Sequence, residues 1–112
     1  MRRVFISMPM RDKTDEEISV MREEYTAVIR AIEGEDVITT DSFLTESVES
    51  GDEKDRAALR LLGGALQKLA ESDIAYFTDG WETARGCLVE HACCKAYGIP
   101  RRCIAIGREE TE

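Results

Sequence analysis

Four short runs of apolar or β-branched residues, at positions 3–7 (RVFIS), 37–40 (VITT), 74–78 (IAYFT) and 103–106 (CIAI), are separated by stretches with helical periodicity. Strands covered on both faces read as continuous apolar runs, and repeated strand–helix–strand units join parallel strands through right-handed crossovers. The pattern predicts an α/β fold, an open parallel sheet with helices on both of its faces.

The helical stretches carry their own punctuation. Thr14, Asp15, Glu16 and Glu17 form a T-x-x-E capping box, and Ile18, Met21, Tyr25, Val28, Ile29 and Ile32 follow at helical spacing, so a helix is expected to run from there to about Gly34. Residues 41–55 are polar and acidic, with Gly51 as a break and Phe43-Leu44 as the apolar pair, and read as a long loop or lid. The helical pattern resumes near Arg56 with Ala58, Leu59, Leu62, Leu66 and Leu69 on one face. Gly63-Gly64 weakens the middle of that helix by roughly 1 kcal/mol per glycine and leaves room for a kink or a close helix contact. A third helix is expected from Thr83 or Arg85 to Tyr97, with Gly98 as its cap and Pro100 just beyond.

Charge and length narrow the function classes. The chain has 112 residues and a formal net charge of −8, which repels phosphate backbones and argues against a nucleic-acid polymer as partner. There is no apolar run of the roughly 18 residues that a bilayer crossing needs, so no membrane partner is expected, and a cytoplasmic location is. Residues 1–107 are expected to form a single domain and residues 108–112 a charged tail. Cys87, Cys93, Cys94 and Cys103 are expected to be free thiols. On a helix Cys87, His91 and Cys94 fall at i, i+4 and i+7, a face that could hold a soft metal, yet no CxxC or HxxxH pair supports it and no metal is assigned. Neither a dinucleotide fingerprint nor a phosphate loop is present, so no cofactor is indicated.

The segment SDIAYFTDGWETARGCLVEHACCKAYGIP concentrates the chemistry. A strand empties into a Gly-Trp turn and then a helix bearing Glu90, placing a carboxylate beside the carboxyl end of a strand, where open α/β sheets bind ligands. The plain alternative is that Glu90 is one solvated acid among 23 Asp and Glu residues.

The opening VFISMPM, the run ESDIAYF and the spacing G-W-x-x-x-x-G-x-x-x-E-H, with Trp81, Gly86 and Glu90 at its fixed points, resemble the nucleoside 2-deoxyribosyltransferase superfamily over nearly the whole chain. The resemblance implies a flavodoxin-like sheet of four to five strands. It also implies cleavage or transfer of the N-glycosidic bond of a (deoxy)nucleoside or nucleoside 5′-monophosphate, in a homo-oligomer whose neighbouring chain completes the pocket. Glu90 matches the family's nucleophile. An anionic carboxylate stabilises an oxocarbenium-like transition state and then forms a covalent sugar ester, a role for which Glu90 should be ionised, helped by the helix start or by a donor such as Tyr76 or Arg85. Ser7, Met8, Pro9 and Met10 correspond to the substrate-holding turn after the first strand. At the other strand exit, Asp79 would meet sugar hydroxyls, Gly80 and Trp81 form the turn, Trp81 would stack on a base, Arg85 would meet a 5′-phosphate, and Gly86 would allow close backbone approach.

Each of these residues also has a plainer reading. The segment 7–10 is equally a strand end and turn, Trp81 a packed hinge residue, Asp79 a turn former and Arg85 a surface arginine. The chain departs from the family at Met8, where a glycine is usual, and at Ala84, where transferases carry Asp and monophosphate hydrolases Ser. The family's acid in the 64–69 region is absent as well. These departures keep open a second function, a non-catalytic nucleotide-binding or sensing module on the same scaffold. A thiol or metal protein using the Cys87, His91, Cys94 face is the third.

Overall fold

The computed structural model describes residues 1–10, 12–41 and 52–105. Strand β1 (Arg2–Ser7) leads to helix α1 (Asp15–Glu33), strand β2 (Val37–Asp41), helix α2 (Asp52–Ala70) and strand β3 (Ile74–Phe77). A single 3-10 turn (Trp81–Thr83) then precedes helix α3 (Arg85–Tyr97) and strand β4 (Arg101–Cys103). All pairings are parallel and the strand order is β2-β1-β3-β4, which matches the first four positions of the flavodoxin-like order. The α/β class and open parallel sheet expected from the sequence are therefore what the chain forms.

Right-handed crossovers dictate where the helices lie. The connection from β1 to β2 runs one way along the sheet and those to β3 and β4 run the other, so α1 covers one face and α2 with α3 the opposite one. The two cores confirm this. Val4, Ile6, Met8, Ile74 and Tyr76 pack with Ile18, Tyr25 and Ile29 of α1. Phe5, Ala75 and Phe77 pack with Ala65 and Leu69 of α2 and Cys94 of α3. Odd and even positions of β1 and β3 thus feed different cores, as the period of two along a strand requires.

Helix α1 begins as its sequence dictates. The Glu17 N–H donates to Thr14 Oγ1 at 3.0 Å and the Thr14 N–H donates to a Glu17 carboxylate oxygen at 2.9 Å, satisfying two donors that the helix itself leaves bare. Asp15, Glu16 and Glu17 place negative charge against the positive end of the helix dipole. Replacing Thr14 with Ala should cost about 1 kcal/mol of unfolding free energy, readable by urea denaturation; no change would show that the cap contributes nothing. Gly34 ends the helix at φ 106°, a conformation a side chain would strain.

Two elements, α2 and β4, differ from expectation by more than one residue. Helix α2 starts at Asp52 rather than near Arg56. Its first turn is acidic, which suits a helix N-terminus but gives no apolar period to read. Residues 42–51, the rest of the expected loop or lid, lie outside the described residues. The buried stripe of α2 is Ala57, Ala65 and Leu69, whereas Leu59, expected on the core face, is 68% exposed. These residues are eight and four apart and so share one helix face, with Leu66 packed beside them. The helix continues through Gly63, and a Cβ there would meet nothing within 4 Å, so that glycine serves no close contact.

Strand β4 is Arg101–Cys103 instead of residues 103–106. Pairing starts where Ala75 N–H donates to Pro100 O at 2.9 Å, and the register sets Arg101 opposite Ala75 and Cys103 opposite Phe77. At the sheet edge backbone pairing sufficed, and charged, exposed Arg101 and Arg102 are at home there. Ile104 N–H still donates to Phe77 O at 2.9 Å. Residues 106–112, including the expected tail, lie outside the described residues. No helix among the described residues is long and apolar enough to cross a membrane.

Candidate functional site

The site is built where the strand order reverses, between the carboxyl ends of β1 and β3. Open α/β sheets form a crevice at this point because the chains leaving the two strands diverge to opposite faces. Ser7 is the last residue of β1 and opposes Phe77 in the register. Beyond the paired residues, Thr78 N–H donates to Ser7 O at 3.1 Å, and Trp81 N–H closes the following turn onto Thr78 O at 3.1 Å. Gly80 makes that turn possible, with φ at 88°.

Helix α3 turns Cys87, Glu90 and Cys94 inward, a stripe at steps of three and four residues facing the sheet. Glu90 is 2% exposed, and Ser7 Oγ donates to its Oε1 at 2.5 Å. The bond joins the end of the first strand to the third helix, residues 83 apart in sequence. No buried side-chain nitrogen or oxygen among the described residues lacks a hydrogen-bond partner, so the carboxyl group is enclosed and satisfied.

Enclosure governs its charge. Burial pushes the Glu90 carboxyl up to about 7, with the Ser7 hydroxyl bond pulling part of the way back. The sequence expectation of a fully ionised Glu90 is therefore corrected: near pH 7 the acid and the carboxylate are present in comparable amounts. Two of the three aids expected for ionisation, the helix start and Tyr76, are also displaced. Glu90 is the sixth residue of α3, beyond the first turn where the helix dipole acts. Tyr76 points to the opposite face of the sheet, where its hydroxyl donates to Glu33 Oε2 at 2.5 Å while Arg2 holds the other Glu33 oxygen at 3.0 Å. Burial, together with that bond and the Glu33 charge, pushes the Tyr76 hydroxyl up to about 12. Alternation along β3 sends Tyr76 and Phe77 to different faces, so proximity in sequence to the site misled.

The remaining expected residues divide between site and core. Met8, only 2% exposed, packs in the α1-side core, and Met10 packs against that core from outside. Pro9 lies where a Cβ added to Gly80 would be 3.6 Å from its Cγ, so the two strand-end turns touch. Asp79, Gly80 and Trp81 wall an open depression of about 430 Å³ beside the ends of β3 and β4, with Thr78, Val28 and Ile104 among the other residues around it. Glu90 is not among the lining residues; Thr78 links the two places, bordering the depression while bonding the Ser7 carbonyl. Arg85 is exposed on the first turn of α3, and a Cβ on Gly86 would meet Leu62 of α2 at 3.9 Å, an ordinary helix contact.

Two features of the site were not anticipated. His91 stacks on Trp81 with ring centroids 4.2 Å apart and planes 15° from parallel, and Phe77 meets the His91 edge at 4.9 Å. Burial, then Arg101 and Lys95, lower the His91 imidazole below its ordinary value and favour its neutral form. Burial pushes the Cys87 thiol up to about 11, with the Ser7 hydroxyl acting in the opposite direction. The thiol of Cys94 is likewise pushed up to about 11, chiefly by burial. Both inward cysteines are thus protonated and weakly nucleophilic at neutral pH. The spacing Cys87, Glu90, Cys94 was available in the sequence as readily as Cys87, His91, Cys94; the second of these is broken up, because His91 lies against Trp81. No group of three or more His, Cys, Asp or Glu side chains that could hold a metal ion is gathered among the described residues.

Comparison with protein-family models, with curated proteins and with solved structures gave no match.

Proposed function

We propose that the chain cleaves or transfers the N-glycosidic bond of a (deoxy)nucleoside or nucleoside 5′-monophosphate, with Glu90 as nucleophile. One observation carries the reading: a carboxyl group buried to 2% exposure and oriented by Ser7 Oγ at 2.5 Å, placed where the strand order reverses. Burial raises this carboxyl to about 7, and strongly shifted groups of this kind cluster at functional sites. The resemblance of the G-W-x-x-x-x-G-x-x-x-E-H run to nucleoside 2-deoxyribosyltransferases adds to the same reading.

The step balances as two displacements. A Glu90 carboxylate oxygen bonds to the anomeric carbon while the carbon–nitrogen bond breaks, its electron pair leaving with the base, which takes up a proton from water. Water or a second base then attacks the same carbon and releases Glu90 as carboxylate, losing a proton to solvent. Two inversions retain configuration at the sugar. Ser7 Oγ holds Glu90 through Oε1, so the attacking oxygen would be Oε2.

Only the ionised form attacks, so the rate of base release should rise with pH through about 7 and level off above it. A panel of deoxynucleosides and their monophosphates, followed by chromatography for free base, tests both points. Absence of release from every member would overturn the reading.

A second function is favoured by a different observation. Glu90 does not line the depression beside Trp81, so a ligand could bind there without meeting a reacting group. On that reading the chain is a nucleotide-binding or sensing module, and nucleosides would raise its melting temperature with no turnover.

A further inference from the structure

We propose that His91 is a pH-sensitive latch on the turn that carries Trp81: the neutral imidazole holds the indole in its stack on helix α3, and protonation releases it. The inference goes beyond the reading of Glu90 as a nucleophile and does not depend on it, because it concerns another side of α3 and asks nothing of the sugar chemistry.

The first support is the way the turn is held. Trp81–Thr83 is one 3-10 turn entered through Gly80 at φ 88°, and none of its three residues is buried. Its backbone bonds are short-range: Trp81 N–H to Thr78 O and Thr83 N–H to Gly80 O, both at 3.1 Å, and Ala84 N–H to Trp81 O at 3.2 Å. A single 3-10 turn has poorer bond geometry than an α-helix, so side-chain packing decides how firmly it sits. That packing is aromatic. The Trp81 indole meets Phe77 of β3 at 5.5 Å with the rings inclined by 58°, and lies nearly parallel to His91, 4.2 Å away with planes 15° apart. Phe77 in turn meets the His91 edge at 4.9 Å. His91 is therefore the ring through which α3 grips the turn, and of the three rings it alone changes its charge between about pH 5 and 8.

The second support is what surrounds that charge. Lys95 follows His91 by four residues, one helical turn along the same side of α3. Arg101 of β4 is in register with Ala75, which belongs to the core on the α3 face of the sheet. Both are cations. The nearby titratable groups of α3 are the thiols of Cys87 and Cys94, kept protonated by burial, and Glu90, which turns inward to Ser7. Cys103 of β4 lies opposite Phe77 in the register, and Glu82, the acid of the turn, is exposed. An imidazolium would gain attraction from the indole face, but it would lose hydration and meet two like charges. Burial first, then Arg101 and Lys95, hold the imidazole below its ordinary 6.5. In the open turn the ring titrates near that ordinary value. The closed stack thus binds a proton less readily than the open one, so release is favoured as pH falls through and below 6.5, and the stack is kept above it. Trp81 is a wall of the depression, so the shape of the depression follows the same titration.

The chain has one histidine and one tryptophan, so each partner of the stack can be followed alone. In the full chain, ring resonances in nuclear magnetic resonance give the His91 titration, and acrylamide quenching of Trp81 emission gives the exposure of the indole. Quenching should rise on the order of twofold as pH falls, with the same midpoint as the His91 ring and below 6.5. His91→Phe, which keeps a flat ring but takes no charge, should hold Trp81 shielded across the range, and His91→Gln, which gives up the ring, should leave it exposed throughout. Lys95→Gln combined with Arg101→Gln should move the midpoint up toward 6.5. The Glu90 carboxyl titrates near 7 on another side of α3, so the step should persist in Glu90→Gln. A His91 midpoint at or above 6.5, an indole whose exposure ignores the His91 titration, or a step that survives in His91→Phe would each overturn the inference. The result is separable from the glycosidase reading. The step without base release from any nucleoside keeps the latch and removes Glu90 chemistry, whereas base release without the step does the reverse.

Discussion

Replacing Glu90 with Gln should stabilise the protein by about 3 kcal/mol more at pH 8 than at pH 4, measured as the difference between variant and parent in unfolding free energy. The sign follows from the direction of the shift. In the unfolded chain the carboxyl titrates near its ordinary 4.5, and in the fold near 7. Between those values the native state binds a proton that the unfolded state has lost, so the parent's stability falls as pH rises through the window. Below pH 4.5 both states are protonated and the contribution is fully present; above 7 it has gone. A glutamine never ionises, and its carbonyl can still accept from Ser7 Oγ, so it escapes the loss. Titrations elsewhere occur in both proteins and cancel in the difference. For a chain this long the effect corresponds to roughly 10 °C or more in Tm at pH 8. A difference that stays flat from pH 4 to 8 would mean that Glu90 is hydrated in solution and that the enclosure is not maintained.

The same substitution should remove catalysis. With the nucleophile gone, base release from the best nucleoside should drop on the order of 10³-fold or more, while far-ultraviolet circular dichroism stays that of the parent. Glutamine retains shape and the Ser7 contact but cannot form the glycosyl ester, so the two measurements together distinguish lost chemistry from lost fold. Activity surviving the exchange would refute the nucleophile assignment, whatever the stability data show. Trapping a sugar on the parent's Glu90, seen as a mass increment on the peptide that contains it, would be the positive counterpart. The two experiments are linked by a physical tension: the burial that orients Glu90 also keeps part of it protonated. If Glu90 is the nucleophile, rising pH supplies more of its reactive form at the same time as it lowers stability.

Much of the architecture was legible because it rests on periodicity and on local hydrogen bonding. The Thr14–Glu17 box, the apolar runs of β1 and β3, and the Gly98 end of α3 all announce themselves within a few residues. The boundaries that were misjudged lack such signals. The acidic first turn of α2 has no apolar period, and β4 is an edge strand whose pairing was set by β3. On α2, Leu69 and Leu66 meet the core as expected and Leu59 does not, because the buried face is turned toward Ala57 and Ala65.

The candidate site divides along the same line. Sequence alone determined the α/β class, the carboxyl-end position of the Gly-Trp turn and the helix that bears Glu90, since chain order and side-chain period are local properties. Only the tertiary structure decided that Glu90 meets Ser7, that Tyr76 belongs to Glu33 on the far face, and that His91 backs Trp81 instead of joining two cysteines. The physical reason is that burial, and with it the charge state of an acid, depends on which distant segments close over it. A separation of 83 residues between Ser7 and Glu90 carries no pattern that either segment could show by itself.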